Sequence, residues 1–417
     1  MTPNIHPPSL WCLAAISLFL SAASDAQPVI TPPPVDSDVD TSPFNMFQGS
    51  ETPQPAPSTS RNSTSTPPRA ASVLSKLQPR LLYRYLYADG IQSSPARPTA
   101  TTIHELAAHF SLDVGSNWKL NYQPIWTFYS HEDFRDTVDH NIHLSGGTAF
   151  DDWRLHFSQD FQTSSAPLVA TGGQTSEELC ITTISSNLRL NDYLALELSI
   201  NQGLRFVEQF PNSYEWSTLD WLHYRLSSRT ITSLGFGAGY TDMSVGADAS
   251  YRQLQGQIAW SPSDAITLQL HVGSHSHSLR TQGSSEFSSF IYGVTAAYTL
   301  FPRTLLTLGG TSTVAGSYFA NQFTQTDEWH VQLQQRILGK VDLDLGFARH
   351  SNSYVSIDVA ASPARKDDYN SFNVRVSLSF LRRGTLALSY QWSENSSDRE
   401  EFGFASNQFG IEIGYGY

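Results

Sequence analysis

From Pro79 to the end of the sequence the residues follow a period of two. In "NWKLNYQPIWTF", Trp118, Leu120, Tyr122, Trp126 and Phe128 share one parity, while Asn117, Lys119, Asn121, Gln123 and Thr127 share the other. Successive side chains of a strand point to opposite faces, so one face of this segment is apolar and the other is wet. "DWRLHFSQDF" repeats the rule, with Trp153, Leu155, Phe157 and Phe161 set against Asp152, Arg154, His156, Ser158 and Asp160. "AITLQLHV", "EWHVQLQQRI", "KVDLDLGF", "SFNVRVSLSF" and "TLALSYQW" do the same, and helical spacing fits none of them. The connections alternate too. Tight turns fall at "SPSD", "FPRT", "LGK" and "RRG", where Pro and Gly supply the geometry. Between them lie longer polar links such as "GSHSHSLRTQGSSE", "GSYFANQFTQTD" and "SNSYVSIDVAASPARKDD". Counting back toward Pro79 predicts about 18 strands, with about 16 as the nearest alternative. An even count brings both ends of the segment to the same side.

An antiparallel sandwich in water also alternates, and two further features separate it from a membrane barrel. The alternating runs are about 10 to 12 residues long, the length a tilted membrane strand requires. Aromatic residues also gather near the strand ends: Trp126, Phe128 and Tyr129; Trp260 beside Ser261 and Pro262; Tyr298 and Phe301; Tyr390 and Trp392. Their rings suit the boundary between hydrocarbon and water. The predicted fold class is all-β, a transmembrane antiparallel up-and-down β-barrel over residues 79–417.

The N-terminal residues point to the same compartment. Residues 1–26 read as a signal peptide, with an apolar core from Leu10 to Leu20 and a cleavage site at Ser24-Asp25-Ala26, although "MTPNIHPPS" has no Lys or Arg. Residues 27–78 are rich in Pro, Ser and Thr and lack apolar periodicity, as expected of a disordered periplasmic tether that could hold a periplasmic partner. A formal net charge of -13 argues against nucleic acid as a partner. With Cys12 inside the signal and Cys180 in the mature part, no intramolecular disulfide is expected after cleavage.

The final stretch, "SYQWSENSSDREEFGFASNQFGIEIGYGY", is a strand, a polar link and a closing strand. It resembles the end of the β-barrel porin type of bacterial outer-membrane protein. The resemblance implies a closing strand whose row Phe409, Ile411, Ile413, Tyr415 and Tyr417 is recognised by the barrel-assembly machinery. It also implies an outer-membrane location among lipid, with both termini periplasmic. The function to expect is a porin-like channel for passive diffusion of small hydrophilic solutes. The alternative is a structural or export-associated barrel, accompanying surface-polysaccharide secretion for example, without general pore activity.

Candidate chemistry is sparse, and no enzyme, metal or cofactor is expected. In "ARHSNS", His350 and Ser351 are adjacent and so point to opposite faces, unlike the His-x-Ser-Asn arrangement of barrel lipid hydrolases. His156, Ser158 and Asp160 share a face, as do His143 and Ser145, but it is the polar one. His271, His275 and His277 fall where a strand should enter a Ser-rich link, with no carboxylate or cysteine nearby in sequence. The residues expected to line the lumen are Lys119, Asp152, Arg154, Glu197, Arg225, Arg336, Asp342, Asp344 and Arg375. The tether has too little apolar surface to offset the entropy of ordering it. Deleting Thr31 to Pro68 should therefore leave a heat-resistant barrel on semi-native gels, and loss of the folded band would assign the segment a role in folding.

Overall fold

The computed structural model describes residues 78–115, 117–280, 286–356, 364–380 and 383–416. The expected signal peptide, nearly all of the expected tether, and Tyr417 lie outside the described residues. The first ten strands are β1 (Gln78–Ser94), β2 (Arg97–Val114), β3 (Trp118–Tyr129), β4 (Thr137–Phe150), β5 (Trp153–Ser164), β6 (Pro167–Leu168), β7 (Gly173–Gln174), β8 (Glu177–Arg189), β9 (Leu194–Val207) and β10 (Ser213–Ser227). They are followed by β11 (Thr230–Met243), β12 (Ala249–Ser263), β13 (Ile266–Leu279), β14 (Glu286–Phe301), β15 (Thr304–Gly316), β16 (Gln322–Ile337), β17 (Val341–Ser356), β18 (Arg365–Phe380), β19 (Gly384–Ser397) and β20 (Phe404–Gly416).

An 18-stranded antiparallel sheet contains all of these but β6 and β7, which pair with each other inside the β5–β8 link. Each strand of the sheet bonds its neighbours in the chain, and β20 bonds β1 from Arg80↔Gly416 to Asp89↔Asn407, so the sheet closes into a barrel. Closure satisfies the backbone groups that an open edge would leave unpaired in hydrocarbon. Gln78, Gly416 and the short turns from β2–β3 onward share one end; the longer links share the other, together with the two-residue β1–β2 turn at Pro95 and Ala96.

The strands run longer than the alternation suggests, from 12 residues in β3 to 18 in β2. The difference falls at the link end. All of "GSHSHS" belongs to β13, "NQFTQTD" largely to β16 and "SNSYVS" to β17. Above the lipid a strand needs no apolar row, so Ser, Thr and Asn on both faces hide it from a search for alternation.

One parity of every strand forms an exposed apolar wall, including Ile200, Phe236, Leu254, Val331, Leu388 and Ile411. Trp153, Tyr224, Trp260, Tyr298 and Tyr415 ring this wall near the short turns, and Phe128, Trp216, Phe290 and Trp329 ring it nearer the links. Trp216 and Tyr224 are separated along β10 by roughly 20 Å of barrel height at a tilt of ~40°, close to the band of about 25 Å expected in an outer membrane. The barrel is a transmembrane one. Between these two girdle residues, Asp220 also lies on the outward parity, opposite Phe236. Register pairing of β9 with β10 skips Leu219 and Asp220, and there the carboxylate accepts the Ser199 amide at 3.0 Å and the Thr218 hydroxyl at 2.9 Å.

Ile411 lies in mid-row of β20, 46% exposed on the outer wall. Ile411→Arg should cost about 2–4 kcal/mol in lipid, measured by equilibrium unfolding in vesicles. A change below about 0.5 kcal/mol would contradict the assignment of this row to lipid.

Candidate functional site: the lumen and its mouth

Contacts between distant strands identify the inner face. The β15–β16 tip, Ser317 to Asn321, reaches the far side of the ring. There the Arg205 Nη2 of β9 donates to the Ser317 carbonyl at 3.1 Å, and the Tyr318 hydroxyl donates to Glu177 of β8 at 3.1 Å. Only the interior offers such a path. Arg205 and Glu177 carry the parity opposite to the apolar wall, so the wet row of each strand faces the lumen.

Lys119, Arg154, Glu197, Arg225, Arg336, Asp342, Asp344 and Arg375 lie on that inward row. Asp152 does not. Phe150 pairs with Trp153, so Asp152 belongs to the tight turn, where its carboxylate accepts from Arg189 at 2.6 Å. Arg336 and Asp342 pair at 2.6 Å, and Glu197 accepts from His223 Nε2 at 3.1 Å.

Arg375 belongs to a chain of charges that joins Asp344, also of the expected lumen set, to three residues outside that set, Glu412, Arg84 and Glu105. It contacts Asp344 at 3.8 Å and Glu412 at 2.8 Å, and Glu412 meets Arg84, which holds Glu105 at 2.9 Å. Small Ala387 and Ser389 on the intervening β19 let Arg375 reach across to β20. Parity alone would have put Arg84, Glu105 and Glu412 inside. Their pairing depends on which strands close the ring.

His143, far from Asp160 in sequence, pairs with it in register, Nδ1 to Oδ1 at 2.5 Å. Ser145 sits opposite Ser158, while His156 sits opposite Gly147. His350 faces inward beside Glu328, and Ser351 faces outward. His271, His275 and His277 belong to β13, not to a link, and point inward; the rings of His275 and His277 lie 4.2 Å apart, against Tyr251 and Phe323. Among the described residues no group of three or more His, Cys, Asp or Glu side chains is placed to hold a metal ion.

At the link end the mouth is narrowed by packed segments. Leu168 and Ala170 of the β5–β8 link bury against Val207 and Tyr318, with Phe210 and Phe319 packed beside them. Arg205 stacks over the Tyr318 ring at 4.8 Å, and the Asn321 side chain accepts the Ala247 amide of the β11–β12 link at 2.8 Å. Arg365 joins the other side. Its guanidinium lies 3.8 Å from the Phe402 ring centroid, 4.0 Å from Tyr354 and 5.9 Å from Phe319, and donates to the Ala170 carbonyl at 2.9 Å. Asp367 completes the cage at 3.0 Å, its side chain fully buried. Cation–π contacts, a hydrogen bond and a desolvated ion pair within β18 together tie four other segments to one side chain. On the outside of the mouth, Arg135 donates twice to Glu208, at 3.1 and 2.7 Å, which holds that carboxyl below its usual range. The bond therefore persists above the ordinary carboxylate pKa and is lost as pH falls through the lowered one.

No protein family model matches the chain, and no curated protein matches it. Among solved structures it is similar to OccK2 (OpdF) of Pseudomonas aeruginosa, at a TM-score of 0.48 and 10% identity, over 82% of this chain and 98% of that one. A BenF-like porin from Pseudomonas fluorescens Pf-5 gives 0.46 and 10%, over 83% and 100%. The FrpB iron transporter of Neisseria meningitidis gives 0.47 and 8%, over 78% and 62%.

Removing one partner of a buried pair strands the other. Asp367→Ala should cost about 3–5 kcal/mol at the mouth, seen as faster protease cleavage of the 165–176 link in an otherwise folded barrel. Unchanged cleavage would contradict the role given to Arg365 and Asp367.

Proposed function

We propose that the protein is a channel in the bacterial outer membrane for passive diffusion of small hydrophilic solutes, with both termini on the periplasmic side. The observation that carries this reading is the pairing of an 18-stranded ring with a polar inner row. A ring of this size is too wide for its own side chains to fill, and its inner row carries paired ions such as Arg84 with Glu105 and Arg375 with Glu412, as suits a polar lumen. The β15–β16 tip and the β5–β8 link would act as the selectivity constriction. During biogenesis the row Phe409, Ile411, Ile413, Tyr415 and Tyr417 would present the closing strand to the barrel-assembly machinery. The tether would remain available to a periplasmic partner.

The packed mouth favours one second reading, a structural or export-associated barrel held shut by the Arg365 cage. Single-channel recording separates the two. The channel reading expects discrete conductance steps from the intact protein and larger steps after residues 317–321 are replaced by a short Gly-Ser link. Silence from the intact protein with conduction only after that replacement would favour the second reading, and silence from both would overturn the channel.

A further inference from the structure

The charged inner rows do not extend around the whole lumen. On β11 to β15 the inward positions, from Ile231 to Met243, Ala249 to Ala259, Thr267 to Leu279, Phe287 to Thr299 and Leu305 to Thr313, hold no Asp, Glu, Lys or Arg. The strands on either side do, with Glu215 and Arg225 on β10 and Glu328 and Arg336 on β16. In place of charge this wall carries amides and rings: Gln253, Gln255 and Gln257 on β12, Gln269 on β13, and Tyr251 beside them.

Their arrangement is set by three inward glycines of β11, in "GFGAG". A Cβ on Gly235 would lie 2.8 Å from the Trp221 ring, and one on Gly239 would fall within the Tyr251 ring's van der Waals surface. Both rings therefore lie across bare backbone. The Gln253 amide lies across Gly237 between them. Trp221, Gln253 and Tyr251 thus follow one another along β11 as ring, amide, ring, over about 13 Å at the rise of a strand. Each is held in place. The Tyr251 hydroxyl donates to Glu215 at 2.7 Å, the Gln255 Nε2 donates to the Gln253 Oε1 at 3.2 Å, and Trp221 stacks with His223, which is tied to Glu197 and Ser233.

This deepens the channel reading and rests on it. We propose that the β10–β13 inner wall is a binding track for a neutral polyhydroxylated solute of two to three sugar rings. Amides offer donors and acceptors together, which matches hydroxyls and leaves no unpaired charge. Flat aromatic faces take the C–H faces of a pyranose, and fixed geometry keeps the ordering cost low. An ionic solute finds no counter-charge on the inward positions of β11 to β13.

Maltotriose is the probe, with sodium gluconate as the charged comparison. Binding is read by tryptophan fluorescence of the detergent-purified protein, and permeation by current blocks in planar bilayers. Maltotriose should bind, and Trp221→Ala should weaken it about tenfold, Trp221→Phe less, and Gln253→Ala several-fold. Trp329→Ala should leave it within about twofold, because that ring lies on the lipid face. Heat-modified gel mobility confirms that each variant is folded. Absence of maltotriose binding to the intact protein, equal binding by Trp221→Ala, or gluconate binding as tight as maltotriose would each overturn the track. Conduction without saccharide binding would remove the track and leave the channel, whereas saccharide binding without conduction would remove the channel and leave the track.

Discussion

A bilayer offers no hydrogen bonds to a bare backbone, and most of this fold follows from that. Every strand through the hydrocarbon must be paired on both edges, so β20 has to meet β1. Once the ring is closed at 18 strands, parity is fixed everywhere, because a slip of one residue would turn a charged row into lipid. Where the β9–β10 pairing lapses, a side chain takes the place of the backbone partner, as the Asp220 carboxylate does for the Ser199 amide.

Closure also creates the interior that the molecule then divides. One arc carries alternating ions that neutralise one another, from Asp344 through Arg375, Glu412 and Arg84 to Glu105. The facing arc is uncharged and kept flat, because glycines let Trp221 and Tyr251 lie against the wall. The mouth is held differently, by a few buried anchors. Arg365 and Tyr318 fix links from opposite sides of the ring, so the width of the entrance depends on contacts far from the lipid-facing rows.

The sequence made the barrel legible because lipid imposes a period of two on Trp118, Leu120 and Tyr122, and on Phe409, Ile411 and Ile413. It concealed the upper strands because no such rule operates above the membrane, and "GSHSHS" read as a link while forming part of β13. Residues such as Arg154 and Asp344 take the inward parity of their strands, whereas Asp152 sits in a tight turn, into which parity does not extend. The mouth was not legible. Arg365 lay in what read as a long polar link, and its partners Ala170, Phe319 and Phe402 are brought to it only by tertiary folding. The uncharged arc is no run without ions in the letters, since Asp242, Arg252 and Glu286 fall within it; it emerges only when the inward positions of β11 to β15 are taken alone and the strands stand side by side.

The central claim is that parity divides water from lipid along each strand. The most direct measurement replaces Cys180 by Ser, introduces single cysteines at Leu254, Gln257 and Ile258 of β12 in turn, and labels each in vesicles with a membrane-impermeant thiol reagent. Gln257→Cys should react from water while Leu254→Cys and Ile258→Cys stay protected. Equal labelling at all three positions, or the reverse pattern, would contradict the account.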